Sequence, residues 1–66
     1  MPYVNIQIVK GATKEQKAQL VREVTDSLVN VLGKKLEHIH IVIQEIDEEN
    51  WGFSGLLTSE WKKQQN

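Results

Sequence analysis

The sequence predicts an α/β (α+β) chain, one βαβ unit followed by a C-terminal hairpin, and three observations carry that expectation. Apolar residues alternate with period two at the amino end and again around residue 40, and a stretch with helical apolar spacing lies between them. Near the carboxyl end Gly52 and Gly55 stand three apart among aromatic residues, where a hairpin or tight turn fits. At 66 residues the chain is a single domain, 1–66, with too little apolar surface to be comfortably stable as a monomer.

The first strand is read from Tyr3 to Val9: Val4, Ile6 and Ile8 share one face, and Tyr3, Asn5, Gln7 and Val9 share the other. The alternation begins so early that no leader is expected before it. Lys10-Gly11-Ala12 ends the strand. Thr13 and Gln16 form a candidate capping box, and Glu15 suits the positive end of the dipole. From there Ala18, Val21, Val24, Leu28 and Val31 or Leu32 recur at helical steps, with Leu20 widening the stripe. Lys14, Lys17, Arg22, Glu23 and Asp26 are placed largely off it. Gly33 follows as the expected C-terminal cap, and Lys34 and Lys35 suit the negative end of the dipole.

A helix from Thr13 to Leu32 is roughly 30 Å long, enough to bring the chain back beside its starting edge. The second strand, from about Glu37 to Ile46, is therefore expected to run parallel to the first. It carries Ile39, Ile41 and Ile43 on one face and His38, His40, Val42 and Gln44 on the other. A right-handed crossover puts the helix over Val4, Ile6, Ile8, Ile39, Ile41 and Ile43. The opposite face stays open, and since parallel sheets are normally covered on both sides, its cover is expected from another copy.

Asp47-Glu48-Glu49 reads as a solvated turn, and Trp51-Gly52-Phe53-Ser54-Gly55 as a segment that presents aromatics to a neighbour. Trp61 and Tyr3 are assigned to packing. The tail Lys62-Lys63-Gln64-Gln65-Asn66 is expected to dock on another subunit and then fray.

Composition removes several function classes. The net charge of −1 gives no electrostatic footprint for nucleic acid. Without cysteine there is neither a disulfide scaffold nor a Cys-ligated zinc. Apolar runs are only a few residues long, so no membrane association is expected and a cytoplasmic location is. His38 and His40 would project the same way from a strand, but spacing suggests no third ligand, and no metal is expected.

The chemistry-bearing candidate is Pro2. Initiator methionine is usually removed before a small residue, and its loss would leave Pro2 as a secondary amine at the end of a half-buried strand. Desolvation pushes such an amine towards its neutral form, able to act as a base or nucleophile near neutral pH. His40 is read either as a substrate contact or as a polar interface residue, and Trp51 as an interface anchor, a pocket wall, or both. Lys10, close to the strand end, is a candidate anion contact.

Pro2, the strand into Gly11, Thr13-Lys14-Glu15-Gln16-Lys17, Leu20-Val21-Arg22-Glu23-Val24 and Trp51-Gly52-Phe53-Ser54-Gly55 together resemble the 4-oxalocrotonate tautomerase family over nearly the whole chain. The resemblance implies a βαβ protomer paired into a four-stranded sheet in a dimer, with three dimers forming a hexamer locked by the C-terminal hairpins. It implies a cofactor-independent tautomerase in which Pro2 is the general base, Trp51 helps wall the pocket, and the substrate is a small carbonyl or enol acid. Two arginines bind the dicarboxylate in well-studied members, and their places hold Ala12 and His40. That departure points to a base retained and a dicarboxylate clamp lost. The alternatives are a weakly active or idle oligomer, one chain of a hetero-oligomer, and a hydratase or dehalogenase of an unsaturated acid.

Overall fold

The computed structural model describes residues 1–64. Its order is β1 (Tyr3–Val9), α1 (Lys14–Leu32), a 3₁₀ turn (Leu36–His38), β2 (His40–Ile46) and a second 3₁₀ turn (Glu48–Asn50). The short strands β3 (Gly52–Phe53) and β4 (Leu56–Leu57) follow, and then α2 (Thr58–Gln64).

β1 and β2 pair in parallel, with Tyr3 opposite His40, Val4 opposite Ile41, Ile6 opposite Ile43 and Val9 opposite Ile46. The ladder is extended at both ends, by His40 N–H donating to Pro2 O at 3.1 Å and Lys10 N–H donating to Ile46 O at 3.0 Å. Val4, Ile6, Ile8, Ile39, Ile41 and Ile43 are half-buried, while Tyr3, Asn5, Gln7, His40, Val42 and Gln44 are exposed. The helix therefore covers the face expected of it, and the open face is the more polar one. There Gln7 Nε2 donates to Gln44 Oε1 across the strands at 3.1 Å.

β2 begins three residues later than the sequence suggested. Leu36–His38 close a 3₁₀ turn in which His38 N–H donates to Lys35 O and Ile39 N–H donates to Leu36 O. His38 is thus off the strand, and the shared projection of His38 and His40 that would favour a metal is lost. Among the described residues no group of three or more His, Cys, Asp or Glu is placed to hold a metal ion.

Thr13 caps α1 as a complete capping box: Gln16 N–H donates to Thr13 Oγ1 at 3.1 Å, and Thr13 N–H donates to Gln16 Oε1 at 2.9 Å. Gly33 ends the helix in the left-handed region and donates its N–H to Val29 O. The stripe turned to the sheet departs in part from the expected one. Lys17, Val24, Thr25, Leu28 and Val29 are half-buried, whereas Ala18, Leu20, Val31 and Leu32 are exposed. Val31 keeps 79% of its surface. Nineteen helical residues span about 28 Å and seven strand residues about 23 Å, so the last turn overhangs the sheet.

β3 and β4 pair antiparallel across Ser54-Gly55. Both turn residues have positive φ, 55° and 78°, the pattern of a type I′ turn whose twist matches a hairpin. Helix α2 was not expected: it replaces the fraying tail as far as residue 64, while Gln65 and Asn66 lie outside the described residues. Glu60 Oε1 accepts from Leu57 N–H at 3.1 Å to cap its first turn. A Lys62–Glu48 ion pair ties it to the preceding 3₁₀ turn. Trp61 packs on Phe53 with ring centroids 5.3 Å apart, tilted by 52°.

Among the described residues no hydrophobic side chain is buried, and Thr58 alone falls in the buried class. The radius of gyration is 15.5 Å over extents of 45 × 23 × 16 Å, against about 11 Å for a compact chain of this length. The protomer is a βαβ unit with a projecting hairpin and helix, and it has no closed apolar core of its own. No helix among the described residues is long and apolar enough to cross a membrane.

Candidate active site

The parallel register sorts the candidate residues into two groups. Both strands start at one end of the sheet, so Pro2, Tyr3 and His40 lie together there, with Pro2 joined to His40 by the 3.1 Å backbone hydrogen bond. Pro2 is half-buried, whereas Met1 before it is 84% exposed. Tyr3 is 62% exposed, so it does not take the packing role within the protomer that the sequence suggested. Its hydroxyl oxygen accepts from Asn5 Nδ2 at 3.2 Å.

The strands finish at the other end, about 20 Å away over six strand steps. Gly11, Ala12 and Trp51 follow those finishes. Trp51 is half-buried, and its carbonyl accepts two hydrogen bonds from Thr58, one from N–H and one from Oγ1–H, both at 2.8 Å. The buried Thr58 hydroxyl thus fixes the backbone that carries the indole. One protomer brings Pro2 and His40 together and leaves Trp51 apart from them.

Charge is arranged just as unevenly. At the finish, Lys17 Nζ pairs with Glu45 Oε1 at 2.5 Å, and Lys10 Nζ pairs with Asp47 Oδ1 at 2.8 Å. The hydrogen bond from Lys17 holds the Glu45 carboxyl below the usual carboxylate range against the opposing effect of burial. The Lys17 charge, the Gly11 N–H and Lys10 add to that lowering. Lys10 is raised by its hydrogen bond to Asp47 and by the Asp47 charge. Lys10 therefore serves a carboxylate of the chain itself, not the anion it was a candidate for. Arg22 is exposed on α1.

The sequence pattern places Lys17 largely off the apolar stripe and gives Glu45 no role, yet both are half-buried and paired. The signal was present: Glu45 continues the helix-facing row Ile41, Ile43, and Lys17 lies four residues before Val21 on the same stripe. Two surface clefts are found away from the sheet's start. One, of about 330 Å³, is lined by Ala12, Gln16, Gln19, Leu20 and Glu23; the other lies in the hairpin beside Phe53 and Leu56. Neither is lined by Pro2, His40 or Trp51.

A family profile described as tautomerase enzyme matches residues 2–60, nearly the whole chain and beginning at Pro2. The chain belongs to the tautomerase family. Over 65 residues it is 45% identical to the probable tautomerase K2 of Dickeya dadantii, covering 97% of each chain. Over 60 residues it is 33% identical to the 2-hydroxymuconate tautomerase of Pseudomonas putida, covering 91% of this chain and 95% of that one. The fold matches a heterohexamer 4-oxalocrotonate tautomerase from Chloroflexus aurantiacus with a TM-score of 0.85 at 27% identity, over 91% of this chain and 97% of that one. Fold and family thus agree with what the residue pattern implied, the 4-oxalocrotonate tautomerase-like βαβ unit with a C-terminal hairpin.

Proposed function

We propose that this family member is a cofactor-independent tautomerase that moves a proton in an enol, dienol or α-keto acid, with Pro2 as general base after loss of Met1. The observation that carries the reading is the placement of Pro2: half-buried, at the first position of the family match, and hydrogen-bonded through its carbonyl to the strand that supplies His40. Met1 projects into solvent, open to an aminopeptidase. Once it is gone, the secondary amine of Pro2 takes the enol O–H proton and returns it to carbon. An apolar surround favours the neutral amine this step requires.

The separation of Pro2 from Trp51 supports a site made between copies, with the start of one sheet against the finish of another. A homo-oligomer, a hexamer built as a trimer of dimers, meets that need, covers the projecting hairpin, and closes over the open sheet face beyond the Tyr3–His40 pair. The relative from Chloroflexus aurantiacus is itself a heterohexamer. His40 then donates a hydrogen bond to a substrate oxygen, and Trp51 of another copy walls the pocket.

Hydratase or dehalogenase chemistry would need an acid to activate water, and Glu45 and Asp47 are both engaged by lysines. Ala12 and His40 in place of arginines favour a monoacid over a diacid.

The test joins intact mass to turnover of an aryl pyruvate enol. The processed protein should lack Met1, and Pro2→Ala should lower turnover by about two or more orders of magnitude. Equal turnover by Pro2→Ala would leave the idle or hetero-oligomeric reading in its place.

A further inference from the structure

Tyr3 has no task in the reading above, yet it is an exposed neighbour of Pro2 that remains once Met1 is gone. It stands directly opposite His40 in the parallel ladder, so the two side chains leave the same face of the sheet on strands about 4.8 Å apart. Both are exposed, Tyr3 by 62%. Asn5 Nδ2 donates to the phenol oxygen at 3.2 Å, which occupies an acceptor position and leaves the phenol O–H proton free to donate outward.

The surrounding face is suited to a negative oxygen. Its members Tyr3, Asn5, Gln7, His40, Val42 and Gln44 include no acid; Glu37 belongs to the 3₁₀ turn before β2 and not to the strand face, and Glu45, Asp47, Glu48 and Glu49 lie at or beyond the finish of β2. A donor pair on a strand face that itself carries no acid suits an anion better than the acid-rich finish of the sheet does.

We propose that Tyr3 contacts substrate, its phenol O–H donating, alongside His40, to the carboxylate of a monoacid held against Pro2. This deepens the tautomerase reading and rests on it. The contact is a charge-assisted O–H···O⁻ bond, which neither phenylalanine nor an uncharged ligand reproduces. It selects a single carboxylate by side-chain hydrogen-bond donors, in a chain whose Lys10 and Lys17 are paired with its own acids.

Tyr3 is the only tyrosine in the sequence, so it offers one phenol resonance in protein labelled with ¹³Cζ-tyrosine. The processed protein is titrated with phenylacetate, an unreactive monocarboxylate, and with phenylacetamide as the uncharged control. The expected result is a saturable shift of that resonance with phenylacetate and not with the amide. Tyr3→Phe should bind phenylacetate about tenfold or more weakly, with the size of the assembly unchanged. In turnover, Tyr3→Phe should lower kcat/KM for an aryl pyruvate enol by a similar factor and leave its methyl ester nearly unaffected, a split that a merely structural role would not produce.

The proposal is overturned if the resonance does not move, if Tyr3→Phe binds phenylacetate as tightly as wild type, or if acid and ester lose activity equally. Failure of the tautomerase reading shows separately, as full activity of Pro2→Ala, and the phenylacetate titration then still decides whether Tyr3 binds a carboxylate.

Discussion

The two ends of the parallel sheet are built on different principles. Where the strands start, Pro2, Tyr3 and His40 are held only by backbone pairing and one neutral side-chain contact, and their polar atoms face outward. Where they finish, Lys17–Glu45 and Lys10–Asp47 hold the strand ends, and Thr58 holds Trp51 by two bonds to one carbonyl. One end presents Pro2 and two exposed polar side chains with few side-chain contacts. The other is tied by ion pairs and hydrogen bonds and carries an aromatic side chain. Each lacks what the other has, and the strand length keeps them apart within a protomer; under the proposed function a complete site would join unlike ends of different copies.

The largest effect that tests this division is complementation. Pro2→Ala damages the start and Trp51→Ala the finish, and neither homo-oligomer should turn over an enol well. Mixed and reassembled, they should form some sites with an intact start from one copy and an intact finish from the other. Activity should then rise at least about tenfold above either parent, since general-base catalysis is worth a factor of a hundred or more. A mixture no better than its parents would mean that both ends of each site come from one chain, and the comparison would break. Because anchors of this kind dominate interface energy, Trp51→Ala should also loosen the assembly, so that it dissociates on dilution at a higher concentration than wild type does, and the mixing is done above that concentration.

A smaller effect concerns the missing charge at the finish. Ala12 is half-buried beside a cleft whose lining contains no cation. Ala12→Arg should raise kcat/KM for a dienol diacid about ten- to a hundredfold relative to the matched monoacid, the value of a charge-assisted contact. Strong wild-type preference for the diacid would show that the finish already holds a cation for the second carboxylate.

Much of this was legible in the sequence because it depends on short-range periodicity. The alternation Val4, Ile6, Ile8 and Ile41, Ile43 set the buried face, and Thr13 with Gln16 set the helix start; both are decided by neighbours two to four residues away. The parts that were not legible depend on longer-range geometry. The overhang that exposes Val31 follows from the relative lengths of helix and sheet. The late start of β2 follows from Leu36–His38 folding into a local turn that an alternating pattern does not reveal. Helix α2 has seven residues with Lys62 and Lys63 on its outer turn, too short for an apolar stripe to declare itself; its anchor is the hydrogen bonding of Thr58 to Trp51, seven positions earlier. Pro2 and His40 were each visible as candidates, but their adjacency needed the register.

The smallest effect separates the ends by pH. Glu45 has a lowered pKa in the folded chain, so its pairing with Lys17 contributes stability that is fully present above the unfolded value near 4.5 and is lost as pH falls through the lower folded value. Lys10 is raised, so its pairing with Asp47 contributes stability that is present below 10.5 and is lost as pH rises through the higher folded value. Both pairs are partly or largely exposed, with side chains 32% and 28% accessible for Lys17–Glu45 and 63% and 57% for Lys10–Asp47. Screening keeps both contributions small, and the more exposed pair should be the weaker. Melting curves should accordingly show Glu45→Gln less stable than wild type at neutral pH, with the difference closing below pH 4.5. Asp47→Asn should show a fainter deficit that persists past pH 10.5 and closes in strong alkali, and added salt should shrink both. His40→Gln, at the end where His40 and its neighbours Pro2 and Tyr3 make none of the ion pairs seen at the finish, should show neither pattern. A pH-dependent deficit in His40→Gln equal to that of Glu45→Gln would mean that the start of the sheet carries a charge pair too, and the contrast between the two ends would have to be redrawn.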